Sequence, residues 1–186
     1  MKRCFIAIKI PYEIQVARLL QLLKKNLSSS RINWVEPENI HLTLAFLGEI
    51  SEKQIHSALD ILKEVSLKIS AIDLEIKGFG TFGRAETPSV LWLGIEPSPG
   101  LTELKLKLDI GLQTTGYIPD HRAFQPHLTL GRVKFFNNAA QLNEIKRSYV
   151  KTSFLKFSAN HINMYESKLS GKGPEYIVIR EFPLQS

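Results

Sequence analysis

The sequence contains a single cysteine, Cys4, so no disulfide can form within the chain. A lone cysteine inside an apolar run is typical of a small core residue in a reducing compartment, and we expect a cytoplasmic location. The sequence also lacks the roughly 18 consecutive apolar residues that would span a membrane. The first residues lack the apolar segment and cleavage site of a secretory signal, so we expect no membrane association.

Strong compositional bias is missing as well. Among 186 residues, 44% are hydrophobic and 23% are charged, which are ordinary globular values and argue against disorder. The net charge of +6 permits a polyanionic partner without requiring one. Because no linker rich in proline, glycine or serine divides the chain, we expect residues 1–186 to form one two-lobed domain, and a monomer.

One short pattern occurs twice, as His-Leu-Thr-Leu at residues 41–44 and 127–130. Side chains alternate across a β-strand, so each copy places a histidine and a threonine on one face and two leucines on the other. A single copy is typical of a buried strand with a structural histidine, whereas the duplication favours a functional pair. Two imidazoles around one cleft suit acid–base chemistry on a phosphate ester, with Thr43 and Thr129 binding its oxygens.

Three further residues are candidates for binding such a substrate. Strict alternation places Arg132 on the opposite face from the second motif, but it lies near a strand end, where the direction can change. A guanidinium there would bind phosphate. Phe5 and Phe46 are aromatic candidates for stacking a base.

The remaining periodicities predict an α+β fold with two mainly antiparallel sheets flanked by helices. Strands that follow one another near 69–95 and 152–182 argue against a doubly wound parallel sheet. Each motif strand lies between two helices, as expected of a weak internal duplication. We predict strands at 2–10, 40–47, 69–77, 90–95, 127–133, 152–168 and 175–182, and helices at 11–26, 51–67, 99–116 and 137–150.

Two other patterns point to cofactors, and both are weak. Residues 78–83 read G-x-G-x-x-G, but no helix follows, so we predict a glycine-rich loop near the cleft rather than a dinucleotide site. Zinc enzymes need three protein ligands, whereas His56, His121 and His161 are each isolated. We therefore expect neither a metal nor a cofactor.

With its flanking segments, the chain resembles the two-histidine phosphoesterases, in the branch of RNA 2′,3′-cyclic phosphodiesterases also described as 2′-5′ RNA ligases. The likeness covers nearly the whole chain. One departure is Ser89, which stands where arginine is common and predicts weaker RNA binding. The matching segments are 3–8, Pro11, 34–35, 38–49, Gly116, Arg122, Phe124, 126–132, 165–167, Leu169, 173–174, Tyr176 and 182–184.

This resemblance implies a bilobal fold with a pseudo-twofold axis through a central cleft lined by both motifs. It implies metal-independent hydrolysis of RNA 2′,3′-cyclic phosphate ends to 2′-phosphomonoesters, with His127 as proton acceptor and His41 as proton donor. The reverse reaction would join RNA ends through a 2′-5′ linkage. Two alternatives stay open: a non-catalytic module that binds RNA or nucleotides, and a phosphodiesterase for a small cyclic nucleotide.

Overall fold

A computed structural model describes residues 1–11, 13–84, 86–171 and 173–185. Within these ranges, nine strands and four α-helices follow one another. The strands are Lys2–Lys9 (β1), Arg31–Trp34 (β2), His41–Ile50 (β3), Ile72–Gly83 (β4), Pro88–Ile95 (β5), His127–Phe135 (β6), Ser153–Ala159 (β7), His161–Ser170 (β8) and Gly173–Pro183 (β9). The helices are Ile14–Asn26 (α1), Glu52–Ser66 (α2), Pro99–Leu112 (α3) and Ala139–Tyr149 (α4).

All nine strands belong to one antiparallel sheet, in the order β7-β4-β5-β6-β3-β1-β8-β9, with β2 paired to β6. The α+β class is therefore confirmed, and the prediction of two separate sheets is wrong. The two motif strands, β3 and β6, are neighbours that pair at Leu42 and Leu128. This pairing joins a His41 half (β1, β3, β8 and β9) to a His127 half (β2 and β4–β7).

Three strand predictions need correction. The four-residue strand β2 was not predicted, because residues 31–34 mix polar and apolar side chains over too short a window. The predicted strand 152–168 is two strands, since the chain leaves β7 at Ala159 on one side of the sheet and enters β8 at His161 on the other. Strand β4 continues to Gly83, beyond its predicted end at residue 77.

The leucines of the two motifs lie in the main core beneath the helices. Leu42 and Leu44 are 1% and 2% exposed, and Leu128 and Leu130 are both fully buried. They share this core with apolar helix residues such as Leu104 of α3. Since alternate strand residues face opposite sides, the motif histidines and threonines occupy the sheet face away from this core.

The helix α2 begins at its sequence signal, whereas α1 begins at Ile14 rather than at residue 11 and α3 ends at Leu112 rather than at residue 116. Ser51 caps α2 as expected: its hydroxyl accepts from the Gln54 backbone N–H at 3.3 Å, and the Gln54 side chain accepts from the Ser51 N–H at 3.0 Å. In the part of the chain that is described, no helix combines the length and apolar character required to cross a membrane.

Candidate active site

The single pairing of β3 with β6 brings the two motifs together. Counting outward from Leu42 and Leu128, His41 and Thr129 lie on one side of that pair, and Thr43 and His127 lie on the other. All four polar side chains are partly exposed on the face away from the main core. The sheet therefore gathers both histidines and both threonines at one place, as the alternating pattern predicts.

Each motif strand contains a bulge at the same position. In β3, Thr43 pairs with Ala7 and Ala45 pairs with Ile6, so Leu44 is the extra residue. In β6, Thr129 pairs with Trp92 and Gly131 pairs with Leu91, so Leu130 is the extra residue. A bulge shifts the alternation by one residue, which returns the fifth residue after each histidine to the sheet face that carries the histidines, called the cleft face below.

This shift places Phe46 and Arg132 beside the two motifs. Phe46 pairs with Phe5 on the cleft face of β1, and Arg132 pairs with Val90, two residues from Trp92 on β5. Strict alternation puts Arg132 on the wrong face, and the bulge accounts for the difference. Arg132 is exposed, and its positive charge acts on the ionisation of His41 in the other half.

Both imidazoles are oriented by a backbone carbonyl two residues earlier in the chain. The Nδ1 atom of His41 lies 2.7 Å from the Asn39 carbonyl oxygen, and Nδ1 of His127 lies 2.7 Å from the carbonyl oxygen of Gln125. A carbonyl only accepts hydrogen bonds, so Nδ1 carries a proton in each ring. Nε2 of each ring is then the atom that takes up or releases a proton.

His41 lies against aromatic rings of β1 and β9. Its ring centroid is 4.9 Å from that of Phe5 and 5.2 Å from that of Tyr176, which meets it edge-on. Burial lowers the pKa of His41, the hydrogen bond to Asn39 opposes this effect, and the nearby charges of Arg132 and His127 lower the pKa further. In the free protein these surroundings favour the neutral imidazole.

His127 has different aromatic neighbours from the second half of the sheet. Its ring centroid is 4.8 Å from that of Phe82, which meets it edge-on, and 6.4 Å from that of Trp92. Phe82 and Trp92 come from β4 and β5, so the contact depends on the hairpin those strands form. Neither Tyr176 nor Trp92 was predicted as part of the site, although Tyr176 lies in a segment that carries the family resemblance.

The threonine hydroxyls are available to a ligand. Across residues 1–11, 13–84, 86–171 and 173–185, neither Thr43 nor Thr129 makes a side-chain hydrogen bond, and Arg132 forms no ion pair. These are two hydroxyl donors and one cation on the same face as the histidines. Such a set can bind the non-bridging oxygens of a phosphate ester.

The two predicted stacking residues differ in what they can do. Phe5 is 3% exposed, and its ring stacks on Tyr165 at 5.1 Å between centroids, so the prediction that Phe5 stacks a base is wrong. The Tyr176 ring meets the Phe5 ring edge-on, with 5.0 Å between their centroids. Phe46 is 50% exposed and carries the Arg3 guanidinium 5.0 Å from its ring centroid, so it stays a candidate.

The glycine-rich segment is part of a strand, so the predicted loop is wrong. Gly78 has a left-handed φ of +79° at a break in the pairing of β4 with β5, and a Cβ there would lie 2.8 Å from the Val150 carbonyl oxygen. Gly80 lies beneath the Trp92 indole, where a Cβ would come within 2.2 Å of the ring. Gly80 therefore leaves room for the Trp92 indole beside His127.

Ser89 lies next to the site without facing it. Its hydroxyl donates a hydrogen bond to the Phe82 carbonyl oxygen at 3.2 Å, within the β4–β5 hairpin. Alternation along β5 places Ser89 on the same face as the buried Leu91, opposite Val90. The effect of Ser89 on RNA binding stays a prediction.

The other three histidines lie apart from the motifs. His56 Nδ1 is bonded to the Glu52 carbonyl within α2, His121 is in the loop before β6, and His161 lies 3.9 Å from Glu181. Within the described ranges, no three side chains of histidine, cysteine, aspartate or glutamate are placed to hold a metal ion.

The family model for LigT-like phosphoesterases matches this chain twice, at residues 8–92 and 93–176. Each match contains one of the two His-x-Thr motifs. The two matches together cover most of the chain, which agrees with the repeated strand, bulge and carbonyl contact described above.

Curated relatives and solved structures agree with this match. RNA 2′,3′-cyclic phosphodiesterase of Methanocaldococcus jannaschii is 35% identical over 97% of this chain and 99% of its own length. The Aquifex aeolicus protein of the same name is 37% identical over 81% of each chain. The structure of TT0787 of Thermus thermophilus superposes with a TM-score of 0.80 at 27% identity, covering 98% of both chains.

Escherichia coli LigT complexed with 3′-AMP shares the fold, with a TM-score of 0.78 at 23% identity over 100% of this chain and 99% of that chain. The family match covers both motifs, and a relative more than 30% identical matches nearly the full length. This chain is therefore a member of the LigT-like phosphoesterase family.

Proposed function

We propose that this protein is an RNA 2′,3′-cyclic phosphodiesterase that opens the cyclic phosphate to a 2′-phosphomonoester without a metal ion. The observation that carries the proposal is the pair of histidines whose Nδ1 atoms are held by carbonyls at 2.7 Å. Both Nε2 atoms are thereby left for proton transfer. The names of the curated relatives point to the same substrate.

In the reaction we propose, His127 and His41 have opposite roles. Neutral His127 takes a proton from a water molecule as the water oxygen bonds to phosphorus. The bond from phosphorus to O3′ breaks, and protonated His41 gives its proton to the departing oxygen. The product carries a free 3′-hydroxyl and a 2′-phosphate, and the two histidines have exchanged protonation states. The assignment of the two roles rests on the family resemblance.

Charge on the phosphate is balanced by groups from both halves of the sheet. The Thr43 and Thr129 hydroxyls donate to the non-bridging oxygens, and Arg132 adds a charge-assisted contact. The net charge of +6 favours an RNA chain over a neutral ligand. With an RNA 5′-hydroxyl in place of water, the same ring opening would bond the 5′-oxygen to phosphorus, break the bond to O3′ and form a 2′-5′ linkage.

Protonation of His41 is coupled to substrate binding in this proposal. The surroundings of His41 lower its pKa, which favours the neutral form, whereas a proton donor must be protonated. A bound phosphate ester carries a negative charge, which favours the imidazolium. The substrate would therefore supply the charge that makes His41 a competent acid.

The experiment is hydrolysis of a short RNA ending in a 2′,3′-cyclic phosphate, with EDTA present, by the wild-type protein, His41→Ala and His127→Ala. We expect a 2′-phosphate product from the wild type, and rates reduced roughly 10²- to 10⁴-fold in either variant. Tight RNA binding without turnover would indicate the binding module instead. Turnover abolished by EDTA would contradict the metal-free mechanism.

A parallel competition between the RNA and a mononucleoside 2′,3′-cyclic phosphate tests the substrate class. An RNA substrate predicts a higher kcat/KM for the oligonucleotide, because residues outside the motifs contact the chain. A preference for the mononucleoside would favour the small cyclic nucleotide.

A further inference from the structure

A cavity of about 700 Å³, lined in part by Lys9, the strand partner of His41, is not used in the mechanism above. Its walls come from the end of β1, the turn before β3, the β7–β8 connection and the end of β9. The polar side chains that line it include Lys9, Glu38, His161, Asn163 and Glu181. This volume falls within the range of roughly 300–1,000 Å³ typical of small-molecule sites.

Strand register places two polar residues of the cavity lining, Lys9 and Asn163, on the same sheet face as the histidines. Lys9 pairs with His41, and Ala7, two residues earlier on β1, pairs with both Thr43 and Asn163. Paired residues of an antiparallel sheet point to the same side, so Lys9 and Asn163 face the cleft. Asn163 lies two strands from Thr43, about 10 Å at the usual strand spacing.

Asn163 brings an unpaired buried acceptor to the lining of this cavity. It is 1% exposed, and its Oδ1 atom has no hydrogen-bond partner among the residues that the structure describes. Burial raises the pKa of Tyr165, and a hydrogen bond from Asn163 opposes that rise, so the amide end of Asn163 is directed to Tyr165. An unpaired buried acceptor is costly, and a ligand that brings an N–H donor would satisfy it.

The charges around the cavity select against a second phosphate. Glu38 and Glu181 bring two carboxylates to the walls, and His161 lies 3.9 Å from Glu181. Among the described residues of the lining, Lys9 brings a positive charge. A neutral ligand with both donors and acceptors fits this mixture better than an anion. A nucleobase is such a ligand. A single nucleotide reaches from the two histidines, where its phosphate would bind, to the cavity, where its base would lie.

We propose that this cavity holds the base of the nucleotide that carries the cyclic phosphate, and that Asn163 Oδ1 accepts a hydrogen bond from its exocyclic amino group. The inference rests on the proposed function, because it needs the phosphate at the two histidines. Adenine, cytosine and guanine carry such an amino group, and uracil does not. Asn163 therefore discriminates against RNA ends that terminate in uridine.

The test uses four short RNAs that differ only in the base of the terminal nucleotide with its 2′,3′-cyclic phosphate. We expect the wild-type kcat/KM to be on the order of 10-fold higher for the amino-bearing bases than for uracil, since uracil carries a carbonyl where cytosine carries its amino group and would bring a second acceptor to Asn163 Oδ1. Asn163→Leu, of similar size without the acceptor, should bring the ratio of amino-bearing bases to uracil close to one. Asn163→Asp keeps the acceptor and should keep the ratio above one.

Asn143→Leu on α4 is the matched control, with the same substitution at a partly buried position on another element, and it should retain the wild-type ratio. The base preference of the wild-type protein tests the inference even if Asn163→Leu does not fold. Equal kcat/KM for all four RNAs would overturn the inference and leave the proposed function standing, with the cavity holding solvent only. Failure to hydrolyse any of the four would instead contradict the proposed function.

Discussion

The His41 half and the His127 half share a backbone design and differ in what surrounds it. The first seven residues of β3 and β6 have the same order of buried and exposed positions, from the histidine to the residue after Phe46 or Arg132. Beside Thr43 the sheet carries Ala7 and then Asn163, whereas beside Thr129 it carries Trp92 and then Gly80. At matching positions, one half has a small residue beside a polar one, and the other has a large ring above a glycine.

This difference shows how a symmetric backbone can place two identical side chains in unequal surroundings. The contact from Nδ1 to a carbonyl is 2.7 Å in both halves, so the backbone treats the two imidazoles alike. Their neighbours from other strands differ, and burial among its own neighbours lowers the pKa of His41. Catalysis by a pair requires one protonated and one neutral group, and in the proposed mechanism the bound phosphate protonates His41 against the effect of its surroundings.

Loss of either histidine is the largest perturbation that we expect. The single substitutions His41→Ala and His127→Ala should each reduce kcat/KM by roughly 10²- to 10⁴-fold. The double substitution should cost little more than the worse single one, since each group needs the other. Single-turnover hydrolysis of one cyclic-phosphate RNA measures all three. Multiplicative losses would contradict a paired mechanism.

The fifth residue after each histidine provides a second comparison. Arg132→Ala should lower kcat by roughly 10- to 100-fold, because it removes a charge-assisted contact to the phosphate. Phe46→Ala should mainly raise KM, by about 5- to 100-fold, because it removes a stacking surface from the RNA. Steady-state kinetics of the two variants distinguish these effects. A reduced kcat in Phe46→Ala with KM unchanged would show that this residue does not act by stacking.

The glycine under Trp92 makes the His127 half sensitive to a single methyl group. Gly80→Ala would place a Cβ 2.2 Å from the indole, so the ring must move and the free energy of unfolding should fall by about 1–3 kcal/mol. Gly100→Ala on α3 is the control, since its Cβ would lie 3.5 Å from Ile72 in ordinary contact. Urea unfolding of both variants measures the difference. Equal stability would mean that the indole moves at no cost.

The smallest effect expected is on the pH dependence of catalysis. With His41 as proton donor, activity falls as pH rises through its pKa, and that pKa is lowered in the free protein. The alkaline decline of kcat/KM should therefore occur at lower pH than that of kcat, which reports the substrate complex. Each limb belongs to the coupled pair. If the acidic limb of kcat/KM, rather than its alkaline limb, lies at lower pH than the corresponding limb of kcat, the roles of the two histidines are reversed.

The lowered pKa of His41 also makes the free energy of unfolding depend on pH. An unfolded histidine binds its proton near pH 6.5, whereas folded His41 binds it only at lower pH. The unfolded state therefore holds more protons below pH 6.5, and stability decreases as pH falls from that value through the folded pKa. Protonation of His41 therefore destabilises the folded protein until a phosphate is bound.

The local pattern of the motifs was predictable, and their wider surroundings were not. Two-residue alternation alone places each histidine and threonine on one face. The bulges at Leu44 and Leu130 depend on which residues of β1 and β5 pair with them, and that register is not visible within a single strand. Arg132 consequently faces the cleft against the prediction from strict alternation.

Two of the wrong predictions share a physical cause. Phe5 is buried by Tyr165 and Tyr176, which lie more than 150 residues away in the sequence. The two predicted sheets are one because β3 and β6 meet at Leu42 and Leu128, a contact with no composition signal. Long-range strand pairing decided both outcomes, and periodicity within a short window contains no information about it.

The carbonyls of Asn39 and Gln125 have an evolutionary consequence. Because each imidazole is oriented by main-chain oxygen, the identity of the residue supplying that oxygen is chemically irrelevant to the tautomer. Mutations at these two positions can accumulate without altering which nitrogen of each ring exchanges its proton, provided that the local backbone keeps its path. The proton-transfer geometry is thus encoded in the course of the chain, and it is protected from most of the substitutions that sequence drift produces.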